Sequence, residues 1–331
     1  MPSIAPLDVD AEELGHVEWA GFVGRTPAFA TVGGQVHLLA DRHRAIAVHD
    51  GLLAACLSGD GVTLLTCGED GRVCGLSAEG EASELYHAPG KWIDRIAAGP
   101  DGAVAFSWGR KGMVIAGGEE KPFECARTVE GLAFAPKGMR LAIARYDGVE
   151  LRWINTANPP QFLEWKGAHT GVTFSPDGRY VVSTMQENAL HGWRLADNRH
   201  MRMTGYPAKV QSVSWSVKGK WLATAGAPAA VTWPFSGKDG PMGRAPKELG
   251  AMGMVLVTRV ACHPAEAVVA IGYEDGMVLA VRIEDGKEAI LRRGEAQGRG
   301  GAISALGWDP DGKRLAYGTS GGEAGIVDLT G

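Results

Sequence analysis

No run of apolar residues approaches the roughly 20 needed to cross a bilayer as a helix, so a transmembrane helix is not expected. The chain opens MPSIAPLDVDAEELG, which is acidic and lacks the basic and apolar regions of a secretory leader. Cysteine is scarce. Cys56, Cys67, Cys74, Cys125 and Cys262 are odd in number, lack metal-site spacing and mostly lie inside apolar runs. Buried reduced thiols are the expectation, and a reducing cytoplasm is the compartment that goes with them. An excess of positive charge is missing as well: 33 Lys and Arg stand against 38 Asp and Glu, a net charge of −5 with a pI near 6.0. Nucleic acid and anionic membranes reward a basic surface, so neither is the expected partner. No window keeps a helical apolar stripe for long, no nucleophile elbow is present, and the GRGG at 298–301 has no Lys-Ser/Thr behind it to cradle a phosphate.

What the chain has in quantity is glycine, 48 of 331 residues, within a composition that is 45% hydrophobic. That combination suits a large core crossed by many tight turns. The glycines fall into register. An apolar alternating run followed by a Pro/Asp/Gly turn recurs as VEWAGFVGRTP, LLAACLSGDG, IDRIAAGPDG, VEGLAFAPKG, TGVTFSPDG, QSVSWSVKG, VTRVACHPAE and SALGWDPDG. Turn glycines Gly61, Gly102, Gly138, Gly178, Gly219 and Gly312 mark six of these eight copies. The mean period of about 41 residues is that of a four-stranded propeller blade. Alternation and β-branched content make each copy four short strands, a to d. In the fifth copy the expected strands are a at 172–175, b at 180–185, c at 189–195 and d near 200–205. Residues 236–256 and 292–301 lengthen two connections without the apolar content of a second domain, so a single domain over 1–331 is expected.

The FSPDG of Phe174–Gly178, its echoes at 309–312 and 99–102, and the c-strand tryptophans Trp153, Trp193 and Trp233 carry a resemblance to the WD40-repeat family. It extends over essentially the whole chain. The Trp-Asp dipeptide itself is absent, since Ile154, Arg194 and Pro234 follow those tryptophans. The resemblance implies an all-β propeller, expected here with eight blades and with seven as the fallback, closed by an N-terminal strand. The last copy stops after strand c, so residues 3–9 are expected to pair beside 323–329 and remove two free edges. The family pattern also places a histidine before the first strand that binds an Asp in the b–c turn. His16, His49, His87 and His169 stand at that position, and Asp70, Asp147 and Asp275 in the turns, which gives these seven residues a structural rather than a catalytic role. His263 replaces a turn serine and is also expected to serve the turn.

The residues that break the repeat are the candidates for function. Five inner strands carry Ala54, Gly131, Gly171, Ser212 and Ala305 three places before their last large residue; the other three carry Trp19, Arg95 and Arg259. Small side chains suit close packing near a propeller axis, so a large cation there is expected to reach the channel mouth. In an eight-membered ring, Arg95 and Arg259 would face each other. One place earlier, Glu18, Asp94, Glu130 and Gln211 form a polar column. Arg145, beside Tyr146, replaces a glycine of other copies. One reading is internal neutralisation of Arg95 and Arg259 by Glu18, Asp94 or Glu130. The other is a recognition face of Trp19, Arg95, Arg259, Arg145, Tyr146 and Tyr273, with Arg292, Arg293 and Arg299 around it, a composition typical of interaction hot spots. The tryptophans otherwise read as core, Trp92 among them. The expectation is a monomeric, non-catalytic platform for partner proteins, without cofactor or metal. The alternative is a small-ligand or metal-dependent activity using Glu18, Asp94 and Glu130. Alanine and glycine richness fits a bacterial source of high GC content.

Overall fold

The structure, a computed structural model, describes residues 3–294 and 300–330. Among the described residues all regular structure is β apart from one four-residue helix, Ala11–Leu14, and two single 3₁₀ turns. Each copy folds as an antiparallel meander because consecutive strands are joined by turns too short for any other pairing. In the second copy these strands are Leu52–Leu57, Thr63–Gly68, Arg72–Ser77 and Ala82–His87, hydrogen-bonded in that order. In the third they are Arg95–Ala98, Val104–Trp108, Lys111–Ala116 and Glu119–Glu124.

The described strands make seven sheets, six of four strands and one of six. This is the seven-membered arrangement, the fallback, and it replaces the expected eight separate blades. The reason lies in two 14-residue strands, Arg140–Trp153 and Gln161–Phe174, which join the fourth and fifth copies. Arg140–Trp153 turns on itself at Asp147 and Gly148, both at positive φ, and Ile154 N–H reaches back to Met139 O at 2.8 Å. Residues 161–164 of the second strand pair with Leu151–Gly148, and residues 169–174 pair with the next copy. Between them Tyr146 pairs with Ala168, so hydrogen bonding continues from one copy into the next. In the fifth copy, strand b is Tyr180–Met185, c ends one residue early at Arg194, and d is Arg199–Met203.

Ser3–Pro6 forms the outer strand of the last sheet, antiparallel to Gly325–Asp328, with Ile4 opposite Val327. Leu7 N–H extends the ladder to Ala324 O at 2.9 Å, and the Leu7 side chain is buried against Val17, Ala305 and Ala324.

Two compact units divide the chain: Met1–Val48, Ala78–Gly80 and Gln211–Gly331 form one, and His49–Ser77 with Glu81–Val210 forms the other. Each has its own apolar clusters between neighbouring sheets. Leu65, Ile93 and Phe106 centre one in the second unit, and Val260, Ile271 and Tyr273 centre one in the first. The small residues of the inner strands are required by proximity. A Cβ on Gly131 would lie 2.8 Å from the Gly171 Cα, so those two strands approach closer than any side chain allows.

Candidate functional site

The histidines show what holds the loop ends. His49 donates from Nδ1 to the Asp70 carboxylate at 3.0 Å, and its Nε2 lies 2.9 Å from the Thr66 hydroxyl. Burial, the largest influence, lowers its pKa against the opposing pull of Asp70. His169 donates from Nε2 to Trp165 O at 2.9 Å and takes a hydrogen bond from Ser183 at Nδ1, 2.7 Å away; it does not use Asp147, which occupies the left-handed turn position. His16 lies 3.6 Å from Glu18, half-exposed. His87 is an exposed residue of its d strand, and Asp275 caps its own turn through Met277 N–H. The shared pattern is therefore met in full at one copy, because only there do the turn carboxylate and the strand hydroxyl both face the ring.

His263 is the tightest of these links. Its Nδ1 accepts from Ala265 N–H and Glu266 N–H at 3.1 and 2.9 Å, and Nε2–H donates to Gly312 O at 2.9 Å, across two copies. A side chain on Gly312 would collide with that ring. Three hydrogen bonds and an edge contact with Trp308 converge on one buried ring. His263→Ala is expected to cost about 2–3 kcal/mol in urea or guanidinium unfolding. An unchanged midpoint would show the link to be dispensable.

Arg95 is held within its own unit. Its Nε and Nη2 donate to Glu130 O and Glu130 Oε2 at 2.8 and 3.1 Å, and Nη1 donates to Asp94 O at 2.8 Å beside the Asp94 carboxylate. Arg259 uses carbonyls, Ser304 O at 2.6 Å and Thr258 O at 3.0 Å; burial lowers its pKa and the Glu18 charge raises it. Trp19 lies across Gly21, in the space a Cβ there would need. Gln211 is exposed at the start of its copy. Glu18, Asp94 and Glu130 thus face His16 or Arg95, and among the described residues no three His, Cys, Asp or Glu converge as metal ligands.

Burial corrects part of the expected recognition face. Tyr273 is 0% exposed, its hydroxyl hydrogen-bonded to Gly250 O, because it fills the cluster between two sheets of its unit. Arg292 is buried as well, joined to Gly276 O and the Glu323 carboxylate. Arg145 is mostly covered: it stacks over the Phe162 ring, 3.9 Å from guanidinium carbon to centroid, next to Glu150. Arg293 is exposed, and Arg299 lies outside the described residues. Tyr146 is at the surface, 48% exposed.

Trp92, read as core, is 64% exposed. It lies in the irregular connection between Ala82–His87 and Arg95–Ala98, where the next residue, Ile93, takes the fully buried position. The repeat signal placed this segment correctly and the side chain on the wrong face. In the same unit a cavity of about 530 Å³ is lined by Arg127, Thr128, Glu130, Tyr146, Ala168, Thr170 and Gln186. These come from the turns and d–a connections of copies 3 to 5, which emerge at one end of the sheets because successive strands alternate in direction. Val129 N–H to Gly109 O, 2.8 Å, and the Arg95–Glu130 pair tie the connection of the fourth copy to the third.

The last 68 residues in sequence, 264–331, match the family described as the anaphase-promoting complex subunit 4 WD40 domain. Solved WD40 structures share the fold. The chain has the β-propeller fold. The WD40 repeats of RRP9 align at 14% identity with a TM-score of 0.61, over 84% of this chain and 94% of that one. U3-55K gives 14% and 0.61 over 84% and 95%. The computationally designed Ika8 protein gives 17% identity and a TM-score of 0.76, over 98% of both chains. No curated protein sequence matches significantly. Binding residues sit disproportionately on loops held by a rigid scaffold, so the residues at the loop end carry the functional argument. No helix among the described residues is long and apolar enough to cross a membrane.

Proposed function

We propose that this WD40 propeller is a non-catalytic platform that captures partner proteins through the loop end of its third to fifth copies, in a cytoplasmic setting. The observation that carries the reading is the exposure of two large aromatics in one unit, Trp92 and Tyr146, the second lining a cavity that also carries Arg127. Large exposed aromatics on a rigid scaffold bury much area on association at little entropic cost. Arg95, partly exposed in the same unit, is a further proposed contributor, its posture set by its bond to Glu130 O; partly exposed Trp19 and Arg259 and exposed Arg293 are proposed as contacts of the other unit, taken by itself. The five described thiols are free, which fits a reducing compartment.

The experiment is quantitative affinity capture from the source organism with the wild type and a Trp92→Ala/Tyr146→Ala double variant. The variant is expected to keep its thermal midpoint and to lose at least tenfold in recovery of the specific partners. An identical partner profile from the two proteins overturns the reading.

A further inference from the structure

The turn from strand a to strand b reads DPDGKR at 309–314 in the last copy and APKGMR at 135–140 in the fourth. The two backbones match. Asp309 N–H donates to Arg314 O at 2.9 Å and Ala135 N–H to Arg140 O at 2.8 Å; Leu329 N–H meets Lys313 O as Ile154 N–H meets Met139 O. Around Arg314 the last copy places carboxylates. Asp309 accepts from its N–H at 3.0 Å and from its Nε at 3.2 Å, Asp328 lies opposite it on strand c, and Asp311 stands in the turn. The corresponding places in the fourth copy hold Ala135, Trp153 and Lys137. Arg140 therefore has the guanidinium without any of the three carboxylates.

What meets Arg140 instead is neutral. Nη2 donates to Gln161 Oε1 at 2.7 Å, and the guanidinium carbon lies 5.4 Å from the centre of the Trp153 ring. Nε is buried with no partner among the described residues; Nη1 makes no hydrogen bond among them and is not buried. Burial lowers the pKa of the group, the direction expected of a guanidinium with no anion beside it. The fifth copy packs alongside, Gln161 Nε2 donating to Asn198 Oδ1 at 3.0 Å, and its turn carboxylates are engaged: Asp177 by Arg179 and Asp197 by Arg194, each at 2.6 Å. Alternation along Gln161–Phe174 puts Glu164 on the face away from Gln161. A partly buried charge without a counter-ion is relieved by a bound anion. We infer that Arg140 takes the carboxylate of a ligand at Nη1, with a planar part of that ligand against Trp153, which is 46% exposed. Carboxylate is the class because it is the group that the repeat itself sets against this arginine in the last copy.

The test uses the full chain, with 4-fluorobenzoate as the probe and the neutral 4-fluorobenzamide as its control, both followed by the broadening of their ¹⁹F NMR lines. The acid is expected to bind saturably in the millimolar range and the amide not to bind. Arg140→Gln is expected to weaken binding of the acid by about tenfold or more. Ala135→Asp, which gives the turn the carboxylate of the last copy, is expected to do the same with Arg140 still present. Circular dichroism and thermal unfolding establish which variants fold, and Arg140→Gln decides the matter by itself if Ala135→Asp does not. Competition identifies the source of the carboxylate. Displacement by acetyl-Gly-Asp-Gly-amide and not by glutarate marks an acidic side chain of a polypeptide; displacement by glutarate and not by the peptide marks a small free acid. Equal binding of acid and amide, wild-type binding by either folded variant, or displacement by neither competitor overturns the inference. Trp92 and Tyr146 take no part in this site, so such a result leaves the platform reading standing.

Discussion

Removal of residues 1–9 is expected to destabilise the protein by about 3–6 kcal/mol and to make it aggregate on heating. Four residue pairs, Ser3 to Pro6 with Asp328 to Gly325, would be lost together with the Leu7 bond to Ala324 O and the burial of the Leu7 side chain. The loss would also uncover the edge of the strand Ala324–Asp328, a ready template for a second chain. Guanidinium unfolding and light scattering measure the two consequences. Leu7→Ala separates packing from pairing: it keeps the backbone ladder and is expected to cost about 2–3 kcal/mol without aggregation. A truncated protein with the wild-type midpoint would remove the closing strand from the account of stability.

Acid is expected to unfold the protein through two buried histidines. His37, held by burial and by the neighbouring His43, has its pKa lowered to about 4, and His191, by burial first and then by His200 and His169, to about 3. The unfolded chain takes up these protons near pH 6.5. Below that value the unfolded state binds more protons than the folded one, so stability falls as pH drops from about 6.5 toward 4, and pH changes above 6.5 leave this contribution unchanged. By pH 4 each ring removes roughly 3 kcal/mol. His191 has no hydrogen-bond partner at either ring nitrogen among the described residues and stacks on Trp165 at 3.9 Å between centroids. An apolar ring of similar shape satisfies that site better at every pH. His191→Phe is expected to hold or raise stability at pH 7.5 and to remove about half of the loss between pH 6.5 and 4. Denaturant midpoints at the three pH values decide it. A variant with the wild-type slope would place the acid sensitivity elsewhere.

Local chemistry was legible without coordinates. The recurrence of Pro, Asp and Gly after alternating apolar runs determined the strands and turns, because φ preferences and two-residue periodicity act within a few residues. The dangling last copy and the lone SIAP segment determined which edge needed closing. His49 with Asp70 and the small inner residues Gly131 and Gly171 were readable for the same reason, since each copy repeats the same local demand. The joining of the fourth and fifth copies was not readable: it depends on Tyr146 meeting Ala168 beyond a register shift that follows the pair Gly148–Glu164. Nor was the face of single side chains at the loop ends. Tyr273 and Arg292 went inside because neighbouring sheets supplied a cluster and a carboxylate, Gly250 O and Glu323, far from them in sequence. Trp92 went outside because Ile93 took the buried side. Sequence specifies what a strand repeats; which cation stays unpaired and which aromatic stays exposed is decided only when distant segments meet.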